Sequence, residues 1–178
     1  NDLITKEILI FLSERFKNIL KEKKIRNDII DAVDSSKTNN NFLALYKKCL
    51  IVNKNISKDI CKNIIGSYKR ASNIIGQELN NNDLLGQPDS LLFLKDEEKN
   101  LYKKVSEIQN YFLNTKKLEN YDETLKILGE AKPITDVFFD NVIVNDDNLN
   151  IKKNRLELLQ MFCKTYNNFI DFSKLEGA

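Results

Sequence analysis

Lys58, Lys62, Lys69 and Asn73 recur at a spacing that suits an acidic polymer. On a helix turning 100° per residue they fall within about 60° of each other. Cations along one exposed flank neutralise successive phosphates, release counterions and so bind in a salt-dependent way. Arg70 adds a further cation beside Lys69, and the Asn73 amide can hydrogen-bond the edge of an unstacked base. A plainer reading stands beside this one. Lysine-rich helix faces are usually just solvated, Arg70 can pair with a neighbouring acid, and Asn73 can stabilise a helix end.

Other chemistry is poorly supplied. The 178 residues contain no histidine, which removes the commonest general base, the commonest metal ligand and every His-containing triad. Cys49, Cys61 and Cys163 form no CxxC pair and lie in apolar helical patterns. Reduced, buried thiols are expected rather than a disulfide or metal site. Carboxylate catalysis is open in principle, yet no sharp candidate for it stands out.

Charge is segregated although the net value is only +2. Arg15, Lys17, Lys21, Lys23, Lys24 and Arg26 face only Glu22 in their stretch, and the 54–70 stretch also has a single acid, Asp59. Acids collect at Asp96-Glu97-Glu98 and around Asp136, Asp140, Asp146 and Asp147. Such segregation can give a nearly neutral domain one basic face. Lys152 and Lys153 are expected to point outward as further phosphate ligands. Arg155 instead falls in the apolar arc of Ile151, Leu158, Leu159 and Phe162. A buried guanidinium needs a carboxylate, so a structural ion pair with Asp140 or Asp147 is expected. The six tyrosines and Phe138-Phe139 read as core side chains before they read as stacking platforms.

The elements that would hold these groups are helices. Five Gly and two Pro are too few for an all-β chain of this size, and no apolar run reaches the roughly 18 residues of a membrane span. Apolar periodicity predicts helices over about 3–22, from Asn27, over 41–52, 57–77, 91–114 and 121–132, from Pro133, and over 149–170. Asn27 and Ser57 are candidate N-caps, and Asn145 to Asn148 form a turn and cap cluster. Residues 35–40 read as a loop and 76–90 as a mobile connector within a single all-α domain, 1–178, of seven to eight helices. Asn1-Asp2-Leu3 has no signal-peptide pattern and lacks an initiator Met, which suggests a fragment of a longer, intracellular protein.

The block Pro133-Ile134-Thr135-Asp136-Val137-Phe138-Phe139-Asp140, with its Val-rich turn, and the following Asn154-Arg155-Leu156-Glu157-Leu158-Leu159 resemble one family. It is similar to the C-terminal end of the beta subunit of bacterial two-subunit glycyl-tRNA synthetases. Lys69-Arg70-Ala71-Ser72-Asn73-Ile74, the 11–16 and 28–33 stretches, and the closing 171–175 stretch fit the same family in order. Val144-Asn145 departs from a usual Val-Met, and Ser72 from a usual larger residue. The resemblance implies an anticodon-binding helical bundle, of the kind also appended to arginyl-tRNA synthetase. It implies glycine tRNA and the alpha subunit as partners, in a cytoplasmic tetramer of two alpha and two beta subunits. ATP and magnesium would be used by the alpha subunit, leaving this region without cofactor, metal, membrane or DNA. The alternative from another class is a helical scaffold that contacts the alpha subunit and binds no RNA.

Overall fold

The computed structural model describes residues 2–35, 41–78, 86–114 and 120–176. Of the expected 35–40 loop, Ser35 ends α2 and 36–40 lie outside the described residues, as does the 79–85 part of the expected connector. Among those described there are eight α-helices and no strand: α1 Asp2–Glu22, α2 Asn27–Ser35, α3 Phe42–Asn55, α4 Asp59–Glu78, α5 Asp96–Asn114, α6 Tyr121–Gly129, α7 Lys132–Asn141 and α8 Leu149–Tyr166. Short 3-10 turns occupy Ser90–Leu92 and Phe172–Lys174.

The helix ends follow local chemistry. Asn41, Asn120 and Asn148 cap α3, α6 and α8 by accepting first-turn backbone N–H groups. Neither proposed cap for α2 or α4 takes that role. α2 begins at Asn27 itself, with the Asp28 carboxylate accepting the Ile29 N–H, and α4 begins two residues after Ser57. Pro133 sits in the first turn of α7, where its missing N–H costs no helical bond. The helix expected from residue 91 starts only at Asp96, because the Glu98 carboxylate folds back onto the N–H groups of Leu94 and Lys95 and caps it there.

α8 is the axis of the molecule. Its buried face packs along α4 and against α5, while α7 covers α5 and α6 covers α4. The C-terminal turn returns across α2 and α4, where Tyr166, Phe169 and Phe172 interlock with Tyr68 and Tyr121. Two buried tyrosine hydroxyls are satisfied: Tyr166 donates to the Leu128 carbonyl at 2.7 Å, and Asn167 donates to the Tyr68 oxygen at 3.0 Å. The three cysteines are free and buried, as expected, and burial pushes the Cys61 thiol up to about 11 and that of Cys163 to about 12.

The described parts of the expected connector are anchored. Residues 76–78 continue α4, the Gly86 N–H donates to the Glu157 carboxylate at 2.9 Å, and Asp89 and Asn154 exchange two hydrogen bonds. α1 stands apart from the axis. It packs chiefly on α2, with Phe16 meeting Phe42 at 5.1 Å, while Ile8, Phe11, Leu12 and Ile19 are exposed.

Candidate nucleic-acid interface

α4 divides its sides as the spacing requires. Cys61, Ile64, Ile65, Tyr68 and Ala71 are buried in the seam with α8 and α6, and Asp59 in the first turn suits the positive end of the helix dipole. Lys58 immediately precedes the helix, and its carbonyl accepts the Lys62 N–H at 3.1 Å. Lys58, Lys62 and Asn73 are exposed and Lys69 is half-buried. No ion pair among the described residues engages these three lysines. The acids of α4 sit at its two ends, Asp59 and Glu78, so no acid of the helix lies between Lys62 and Lys69.

The remaining cations divide into committed and uncommitted. Lys152 is not the outward cation expected of it: half-buried, it pairs with Glu78 at 2.6 Å. Lys153 is exposed, 3.9 Å from Glu157. In the first basic stretch, Lys17 pairs with Asp34 at 2.8 Å and Arg26 with Asp28 at 2.6 Å, and those contacts hold the Lys17 and Arg26 pKa values above their ordinary ones. Arg70 is exposed yet engaged. Its guanidinium lies over the Phe139 ring at 4.4 Å and donates to the Phe139 carbonyl at 3.3 Å. Lys95 donates to the Asn141 carbonyl, so two cations meet the unpaired carbonyls at the C-terminus of α7.

Arg155 is structural, but with other partners than Asp140 and Asp147. Its Nε donates to Glu98 Oε1 at 2.8 Å, and its Nη1 donates to Asp146 Oδ2 at 2.7 Å and to the Ile143 carbonyl at 2.9 Å. Arg155 is 3% exposed and Glu98 0%. Burial opposes the charge, yet the hydrogen bonds it donates to Glu98 and Asp146 hold the guanidinium above its ordinary pKa. The Asn148 N–H and Arg155 together hold the Asp146 carboxyl below its own. The reason for the exchange is geometric. α7 ends at Asn141, leaving Asp140 exposed, and the following turn brings the Ile143 carbonyl and the Asp146 carboxylate to Arg155 while Asp147 faces solvent. Glu98 lies 57 residues from Arg155 in sequence, and only the packing of α5 on α8 brings it there.

Tyr68, Tyr121 and Tyr166 are buried, Tyr46 and Tyr102 pack against the core, and the half-buried Tyr111 has its hydroxyl 3.1 Å from that of Thr124, so the tyrosines form no exposed platform. Phe138 and Phe139 are both core, at ring centroids 5.5 Å apart. Sequence reasoning missed Phe139 as the floor beneath Arg70, Glu98 as the partner of Arg155, and the buried Lys48. A helical period locates faces of one helix, and none of these three pairings is local.

Comparison with known proteins identifies the family. The DALR anticodon binding domain family matches residues 64–174. The chain is 35% identical to the glycine–tRNA ligase beta subunit of Sulfurihydrogenibium sp. over 172 residues, covering 96% of this chain and 24% of that protein. It is 34% identical to the subunit of the same name from Persephonella marina over 174 residues, 95% and 23% of the two chains. For the one from Clostridioides difficile the identity is 29% over 172 residues, 97% and 24%. The chain thus spans about a quarter of the length of these relatives. With α4 from residue 64, the Arg155 hub and the interlocked C-terminal turn all inside the matched region, this chain belongs to the DALR anticodon binding domain family.

Proposed function

We propose that this chain is the tRNA-holding domain of a glycine–tRNA ligase beta subunit, and that it binds the anticodon arm of glycine tRNA along the exposed flank of α4. The observation that carries the reading is the unpaired row of Lys58, Lys62 and Lys69 leading to Asn73. The lysines take phosphates of the stem, while the Asn73 amide meets a base of the loop. Lys153 extends the cationic surface from α8, and Lys152 contributes once its bond to Glu78 opens. The domain positions RNA and leaves the chemistry of joining glycine to tRNA, with its ATP and magnesium, to the alpha subunit in a cytoplasmic tetramer of two alpha and two beta subunits. No helix among the described residues is long and apolar enough to cross a membrane.

Filter binding tests the reading: the complete ligase should lose most of its affinity for glycine tRNA when this domain is deleted from the beta subunit. Undiminished affinity would refute it, and a footprint of the anticodon arm should fade with the same deletion. A second reading rests on a different observation, the exposed Ile8, Phe11, Leu12 and Ile19 of α1. That flank packs against the remainder of the beta subunit, which the relatives' fourfold greater length supplies. Salt separates the two roles. Phosphate binding weakens steeply between low and moderate ionic strength, whereas apolar docking does not.

A further inference from the structure

Arg70 is held differently from the lysines beside it. Its guanidinium lies over Phe139 at 4.4 Å, and one Nη donates to the carbonyl of the same residue. Phe139 is itself fixed, buried in the wall of α7 with Phe138 against it edge to face. The guanidinium therefore sits against a rigid ring, yet the residue remains exposed. No carboxylate among the described residues pairs with it. A planar, weakly hydrated guanidinium in this position stacks on a nucleobase, as a lysine ammonium cannot. Asn73 lies three residues on, on the neighbouring part of the same exposed surface, with both a donor and an acceptor in its amide.

We propose that Arg70 and Asn73 form a site for a single unstacked nucleobase. The base lies on the outer face of the guanidinium, whose inner face rests on Phe139, and its edge is hydrogen-bonded by the Asn73 amide. The site rests on the anticodon-arm reading and deepens it: Arg70 reads a base plane instead of a phosphate. Its contact with the last carbonyls of α7 is then the support that keeps the platform in place.

The experiment uses the complete ligase and glycine tRNA transcripts carrying one abasic nucleotide at each anticodon-loop position in turn. Against wild type, one lesion should weaken binding about tenfold, the scale of stacking one base on a side chain. Arg70→Lys keeps the charge and loses the plane. It should bind intact tRNA about tenfold more weakly, and that same lesion should then cost nothing further, while the other lesions keep their wild-type costs. Asn73→Ala, an exposed change that removes the edge hydrogen bond and leaves the stack, should shrink the cost at that position alone and provides the test if Arg70→Lys fails to fold.

Arg70→Lys binding every RNA like wild type would overturn the site. A uniform loss across all lesions would overturn it too, because that is the signature of a phosphate contact or a structural clamp. Both results leave the anticodon-arm reading standing. If no loop lesion weakens the wild-type protein and deletion of the domain costs no affinity, the reading and the site fall together.

Discussion

Lys48 is 2% exposed, inside the core where α3 meets the C-terminal turn, and Nζ donates to the Phe169 carbonyl at 2.9 Å. Tyr121 and Phe169 present their rings to it at 5.9 and 5.6 Å. Burial lowers its pKa from 10.5 to about 8, the nearby Cys49 thiolate form opposing slightly. Between those two values the unfolded chain holds a proton that the folded chain has released, so raising the pH through that window favours folding. Below pH 8 both states are protonated and the penalty for burying the ammonium is present in full. With the two pKa values entered into the linkage relation, the penalty is about 3 kcal/mol at pH 7 and less than half of that at pH 9.5. Lys48→Met removes the titration while filling similar volume. Its own offset, chiefly the orphaned Phe169 carbonyl, costs about 1–3 kcal/mol at every pH. The informative quantity is therefore the difference between variant and wild type as pH changes. Urea unfolding at the two pH values should show Lys48→Met losing about 2 kcal/mol relative to wild type on going from pH 7 to 9.5. Taking the difference cancels the buried thiols, which titrate in both proteins. A stability gap that stays constant to within about 0.5 kcal/mol would refute the claim that burial depresses the Lys48 pKa.

Arg155→Met leaves the Glu98 carboxylate buried without its cation and should cost about 3–5 kcal/mol in urea unfolding. Asp140→Asn and Asp147→Asn should each stay within about 0.5 kcal/mol of wild type by the same measurement. Reversing Lys62 and Lys69 to Glu should weaken tRNA binding by the ligase and flatten its salt dependence, with circular dichroism unchanged; full affinity would remove α4 from the interface. Gly66 lies exposed in the middle of α4, and a Cβ there meets nothing within 4 Å. Gly66→Ala should raise stability by about 0.5–1 kcal/mol, read as a higher melting temperature.

Much of this molecule is written in the order of its residues. Periodic apolar positions such as Ile64, Tyr68 and Ala71 determine a helical class, the buried side of α4 and, by exclusion, the flank that carries Lys58, Lys62 and Asn73, because a helix places residues on its surface by local geometry alone. The block from Pro133 to Leu159 carries the family, and a guanidinium in an apolar arc announces a buried ion pair in need of a carboxylate. Which carboxylate answers was decided only by packing. Glu98 reaches Arg155 through the contact of α5 with α8, and a turn after α7 selects Asp146 over Asp147. The same holds for Lys48, which is one more surface lysine in sequence and the neighbour of Phe169 in space, and for Lys152, which Glu78 claims from across the α4–α8 seam. Arg70 acquires its possible use as a platform only when Phe139, far along the chain, slides beneath it. Faces are set by neighbours three and four residues away; partners are set by which faces meet, and that depends on the shape of the whole core.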